Sequence, residues 1–131
     1  MKKIGTINQP LSAVIAGMGH GDMLVIADCG LPIPAEVPRI DLALTAGIPG
    51  FLQTLAVIQQ ELQVESAVIA TEMPQSSPEL YTKLMPMLAG IEVAEMNHEQ
   101  FKELTQLAVA VVRTGECTPY ANIILKSGVI F

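Results

Sequence analysis

The run "MLVIAD", Met23 to Asp28, is apolar for five residues and ends on a carboxylate. A strand with one wet face would alternate apolar with polar. An unbroken run this short reads instead as a strand buried on both faces, as in a mostly parallel sheet covered by helices on both sides. Its flanks punctuate it. Before it stands the glycine-rich "GMGHGD", Gly17 to Asp22; after it comes "CGLPIPAEVP", which cannot be helical because its prolines fix φ and remove amide donors.

The rest of the chain repeats this alternation of short apolar runs and amphipathic segments, which predicts an α/β sheet of about six strands with helical cover. Pro10 at a first helical position opens a helix through about Met18. "RIDLAL" (39–44) reads as a second strand, and Gly50 to Leu62 as a helix with Phe51, Leu55, Ile58 and Leu62 on one face. "ESAVIAT" is a third strand. Ser77 and Pro78 start a helix that Pro86 kinks or ends. "GIEVAEM", "VAVVRT" and "YANIILKSGVIF" complete the strands, with the helix "NHEQFKELTQLA" before the last two. Strand order is not readable from such a pattern.

The chain has 131 residues, which predicts one domain over 1–131. Half of them are hydrophobic and only 15% charged, too apolar a balance for a small monomer's surface, so self-association is expected. A net charge of −6 with seven scattered basic residues excludes a phosphate-tracking nucleic-acid surface and favours a neutral ligand. "MKK" followed by "LSAVIAG" resembles a secretory leader only loosely, being short and broken by Asn8-Gln9-Pro10. No run approaches the ~18 apolar residues of a membrane span. Cys29 and Cys117 are too few for a disulfide framework and read as reduced thiols in a cytoplasmic protein.

Several short constellations carry chemistry. His20, in "GMGHGD", sits either as a plain residue at a helix C-terminus or as an exposed imidazole able to move protons. Spacing favours the first. Asp28 lies where a buried strand ends, the place where open α/β sheets gather ligands, yet an aspartate there also commonly satisfies loop amides. In "NHEQFK", Asn97 and Gln100 form a capping box, so His98 begins a helix and shares its face with Lys102. The helix dipole and the ammonium both disfavour an imidazolium, so His98 is expected to bind as a neutral ring or to stand idle in a solvated first turn. In "TPYAN", Tyr120 and Asn122 point the same way if the segment is a strand, and with the Ala121 backbone between them they suit a polyhydroxyl ligand as well as a polar edge. Asp41, in an apolar strand, predicts an ion pair, with a subunit contact as one place for its partner. The chain carries no metal-ligand spacing, nucleophile elbow or phosphate-binding loop.

Taken in order, "GHGD", "DCGLPIP", "RIDLAL", "NHEQFK" and "GECTPYANIIL" resemble the D-ribose pyranase family, relatives of the L-fucose mutarotases, over essentially the whole chain. The resemblance implies a cofactor-independent cytoplasmic isomerase that converts the pyranose ring of D-ribose to the furanose used by ribokinase, beside ribose uptake by its transporter. It implies a three-layer α/β/α subunit assembled into pentameric rings or decamers, with the pocket near a subunit boundary. Within it, His20 matches the proton donor, and Asp28, His98 and the stretch Tyr120, Ala121 and Asn122 match the sugar contacts. Lys102 matches a basic residue lining the same pocket. Asp28 would then sit near His20 and favour its charged form. Gly21 replaces a polar residue of the relatives, which predicts a looser His20 loop. Two other readings stay open: a mutarotase that inverts the anomeric centre, and a sugar-binding ring without catalysis.

Overall fold

In the computed structural model, which describes residues 1–131, the run Met23–Ala27 forms strand β1 near the middle of a six-stranded sheet. Its side chains alternate between two cores. Leu24 and Ile26 enter a cluster of 20 buried residues on one face, while Val25 and Ala27 enter a cluster of 8 on the other. That division is why the run is apolar throughout: neither face meets water.

The larger cluster is built against four helices. Helix α1 (Gln9–Gly17) contributes Leu11 and Ile15, and Asn8 caps it by accepting the Leu11 N–H at 3.0 Å. Helix α2 (Phe51–Gln59) contributes Phe51, Leu55 and Ile58, the face read from the sequence. A short helix α3 (Met73–Ser76), not expected from the pattern, leads into α4 (Pro78–Met87), which contributes Leu80 and Leu84. Pro86 falls in the last turn of α4 and ends it. Helix α5 (His98–Thr105) covers the opposite face with Phe101, assisted by Leu31 and Val37 from the proline-rich loop. The result is an α/β/α sandwich.

The remaining strands are β2 (Arg39–Asp41), β3 (Val64–Ala70), β4 (Glu92–Met96), β5 (Ala110–Arg113) and β6 (Ile123–Ser127), in the order β2-β5-β1-β6-β3-β4. Pairings β1–β5, β2–β5 and β3–β4 are parallel. Strand β6 is antiparallel to both neighbours, with Ile124 opposite Val25 of β1 and Val68 of β3. So the sheet is mostly parallel, with one reversed strand at its centre.

Two expected strands are shorter than their apolar patterns. The last does not begin at Tyr120, because that residue has φ +60 and the Asn122 N–H bonds back to the Tyr120 carbonyl at 2.8 Å, a turn that a pleated strand cannot contain. The second stops at Asp41, an edge position where the chain turns away after Leu42 donates to the Arg113 carbonyl. Asp41 finds its ion pair within the chain, not across a subunit contact: Arg113, directly opposite it on β5, donates to both carboxylate oxygens at 3.1 Å.

Leu55 is fully buried between α2 and the sheet. Leu55→Ala is expected to cost about 2–5 kcal/mol of unfolding free energy through lost transfer and a residual cavity, read from the urea midpoint at fixed protein concentration. A change below about 0.5 kcal/mol, the range of an ordinary surface substitution, would contradict the packing described.

Candidate functional site

The carboxyl ends of the parallel strands gather five of the expected residues. Asp28 follows β1 directly. Its Oδ1 accepts the Gly30 and Leu31 amides at 2.9 and 2.8 Å, so the loop reading of this aspartate is part of its role. Its other oxygen accepts the Asn122 carboxamide N–H at 2.9 Å, and the Asn122 carbonyl oxygen accepts the Asp28 amide at 2.8 Å. Asn122 is completely buried, so this two-way pair spends its polar groups and fixes the direction of the Asp28 carboxylate.

His98 enters from the first turn of α5. Asn97 caps that helix by accepting the Gln100 N–H at 2.9 Å, as the sequence predicts. The His98 amide donates to Glu72 Oε1 at 3.0 Å, a contact that the sequence does not reveal. The imidazole stacks on Phe101 at 6.4 Å and meets the Tyr120 ring edge-on at 5.1 Å. Its Nδ1 is buried without a partner. Asp28, His98 and Tyr120, with Gly30, Leu31, Pro32 and Pro119, line an open cavity of about 300 Å³, at the small end of the ~300–1,000 Å³ typical of ligand pockets.

Tyr120 and Asn122 reach this edge through turn geometry, not strand alternation. Ala121 lies fully buried between them, its amide donating to the Thr118 carbonyl at 3.3 Å. Glu116 organises the turn. Its Oε1 accepts the Thr118 hydroxyl at 2.7 Å and the Cys117 and Thr118 amides at 3.2 Å, while Oε2 accepts the Phe51 amide at the start of α2. Ser77 adds a hydrogen bond to the Pro119 carbonyl at 2.7 Å. Burial alone would push the Glu116 carboxyl up, but these hydrogen bonds outweigh it and hold the group below the ordinary glutamate value. Glu72 is lowered too, first by the His98 amide.

Two expected residues are placed elsewhere. Lys102 lies one turn along α5, where its ammonium pairs with Glu99 at 2.7 Å and does not line the cavity. His20 stands before β1, at the opposite edge of the sheet from Asp28. Five strand residues separate those edges, roughly 17 Å at about 3.3 Å per residue, so Asp28 does not neighbour His20 within the chain. The carboxylate beside His20 is Glu65, whose two oxygens lie 3.3 Å from Nε2. The loop is also tighter than its glycines suggest. The Gly19 amide donates to Asp22 at 2.8 Å, Gly21 at φ +87 donates to the Ser127 carbonyl at 2.9 Å, and the Ser127 hydroxyl donates to the Gly19 carbonyl. His20 itself remains 57% exposed on this fixed loop, presented outward.

Glu65, Glu72 and Glu116 are the residues that sequence reasoning missed. Each acts on a partner far along the chain; Glu65 lay in a stretch read only as a strand, and Glu116 in a motif read only for its neighbours.

Comparison with known proteins agrees with this architecture. The model of the RbsD / FucU transport protein family matches residues 1–130. The D-ribose pyranases of Coprothermobacter proteolyticus and Symbiobacterium thermophilum are 60% and 56% identical over 131 residues, with 100% of each chain covered. Bacillus subtilis RbsD, solved in complex with D-ribose, superimposes with a TM-score of 0.97 at 46% identity over 100% of both chains. The fucose mutarotase of Streptococcus pneumoniae, solved with L-fucose, gives 0.82 at 28% identity, again over 100% of both.

The lowered carboxyls set an acid limit. With a folded value below the unfolded one, Glu116 and Glu72 contribute stability that is complete above the ordinary glutamate value and is lost as pH falls through the lower folded value. Thermal unfolding of Glu116→Gln is therefore expected to show a shallower acid decline than the parent protein. An unchanged acid limb would contradict the assignment.

Proposed function

Because the chain belongs to the RbsD / FucU transport protein family, we propose that it is a D-ribose pyranase, an isomerase interconverting the pyranose and furanose forms of D-ribose. The observation that carries this reading is the close match, over the full chain, to a structure holding D-ribose, combined with a cavity at the carboxyl edge of the sheet whose polar groups are already oriented. The weaker match to the fucose mutarotase places the anomer-inverting reaction second.

The reaction opens the hemiacetal, rotates carbon–carbon bonds and closes on a different hydroxyl. Opening delivers a proton to the ring oxygen while one leaves the anomeric hydroxyl; closing reverses the transfers. The Asp28 carboxylate, fixed by Asn122, accepts from sugar hydroxyls. His98 and Tyr120 supply a ring nitrogen and a phenol that can each donate or accept, and the Tyr120–Ala121–Asn122 turn closes around the ligand. Lys102, on the same helix as His98, can swing from Glu99 to steady negative charge on an oxygen.

His20 is the proton donor. In one subunit it lies across the sheet from the sugar, so the donor in each cavity is His20 of the partner subunit. Self-association is thus part of the catalytic arrangement, in rings or paired rings. Apolar surface supports such association: Ile4, Ile7, Leu44, Leu107, Ile130 and Phe131 are exposed in the single chain. No helix is long and apolar enough to cross a membrane. The cytoplasm suits the two unbridged thiols, and there the furanose product is available to ribokinase after ribose uptake.

Saturation-transfer NMR on D-ribose tests the reaction. Added protein is expected to speed exchange between pyranose and furanose signals; exchange only between anomers of one ring size would contradict the pyranase reading, as would line broadening without exchange. His20→Ala is expected to lower the exchange rate about 10²–10⁴-fold, the usual contribution of a placed acid. Co-refolding His20→Ala with His98→Ala should then restore about a quarter of full activity, since random assembly rebuilds that share of sites from two intact halves. No recovery in mixed assemblies would contradict a shared site.

A further inference from the structure

Cys29 and Cys117 stand 88 residues apart in sequence, yet their sulfurs lie 3.4 Å apart. Both are free, Cys117 is exposed and Cys29 half-buried. Their backbones are locked together, since the Cys29 amide donates to the Glu116 carbonyl at 2.8 Å and Arg113 Nε donates to the Cys29 carbonyl at 3.2 Å. These bonds hold the two cysteine loops side by side. They line a cavity of about 240 Å³ with Arg113, Gly115 and the stretch Ala43 to Ala46, separate from the one beside His98, so a small reagent can reach them.

Each cysteine is also tied to the sugar cavity. Cys29 follows Asp28, whose carboxylate reaches past it to hold the Gly30 and Leu31 amides. Cys117 donates its amide to Glu116 and precedes the Pro119–Tyr120 turn by two residues. A disulfide bond is ~2.0 Å long, so oxidation must bring the two sulfurs closer than their 3.4 Å separation, and whatever part of that closure side-chain rotation does not supply falls on the loops that carry Asp28 and Tyr120.

We propose that Cys29 and Cys117 form a reversible dithiol–disulfide site that sets the shape of the adjoining sugar cavity. The oxidant is a small-molecule disulfide of the oxidised glutathione type. Cys117, the exposed sulfur, attacks one sulfur of the reagent as thiolate, forming a mixed disulfide and releasing one thiol. Cys29 then loses its proton and attacks the Cys117 sulfur, releasing the second thiol. Two electrons pass from the protein to the reagent, and the two thiol protons end on the released thiols. The hydrogen bond to Cys117, together with burial, pushes the Cys29 thiol up, which keeps it protonated until this second step.

The functional consequence rests on the ribose reading above, but the chemistry does not. The assembled protein is to be incubated with oxidised glutathione and followed by intact mass, by hydrogen exchange at the Gly30 and Leu31 amides, and by ribose exchange NMR. The expected result is loss of the mass of two hydrogens per chain, faster exchange at those amides, and a several-fold fall in sugar exchange. Dithiothreitol should reverse all three, and Cys29→Ser or Cys117→Ser should abolish them. Chains that keep their hydrogens, or carry bound glutathione instead of an internal bond, would overturn the proposal. So would an internal bond that leaves the amides unchanged or, in a ribose-active protein, leaves sugar exchange unchanged. A reduced protein with no ribose exchange would contradict the substrate reading alone, with mass and amide exchange still deciding this one.

Discussion

Asp28 and Asn122, separated by 94 residues in sequence, exchange a hydrogen bond in each direction. The rest of the site depends on that pair. It exists because β6 runs against its neighbours: in a sheet of uniformly parallel strands, the residue before a strand would lie at the amino edge, far from the end of β1. Reversal puts Asn122 at the carboxyl edge, beside Asp28. Burial then makes the pair strict, since an unmatched carboxamide in a dry core costs about 1–3 kcal/mol.

The same reversal controls the other edge. Strand β6 leaves the sheet where β1 enters it, so Ser127 can bind the carbonyl of Gly19 and the amide of Gly21 and hold the His20 loop. Glu65, at the start of β3, meets the imidazole there. One strand thus fixes the Asp28–Asn122 cluster at one edge and the His20 loop at the other; on the proposed reading the first grips the sugar and the second moves its proton. The proposed shared site needs a second copy of the chain, and exposed apolar side chains such as Ile4, Leu107 and Phe131 are available to bring the halves together. The glutamates serve this division: Glu72 holds the start of α5 and so His98, Glu116 joins the Tyr120 turn to α2, and Glu65 faces His20.

Much of the fold was legible because local physics dictated it. "MLVIAD" announced a strand dry on both faces, Asn97 announced the start of α5, and the prolines after Cys29 excluded a helix. The direction of β6 was hidden, since an apolar run looks alike whichever way it runs. Tyr120 misled for a local reason: its positive φ breaks the alternation that its neighbours suggest. The candidate site residues were singled out chiefly through resemblance of motifs, and how the fold groups them was not legible. Sequence placed His20 near Asp28 because only a few residues separate them, whereas five extended residues carry them to opposite edges. Long-range partners such as Arg113 for Asp41, or Cys117 for Cys29, leave no trace in spacing.

A crystal structure of the assembled protein with D-ribose tests the central claim most directly. The account predicts a sugar held by Asp28 and His98 of one subunit, with the imidazole of residue 20 of another subunit within hydrogen-bonding distance of its ring oxygen. A sugar held in that cavity with no residue-20 imidazole from any subunit near it, directly or through one water, would contradict the account.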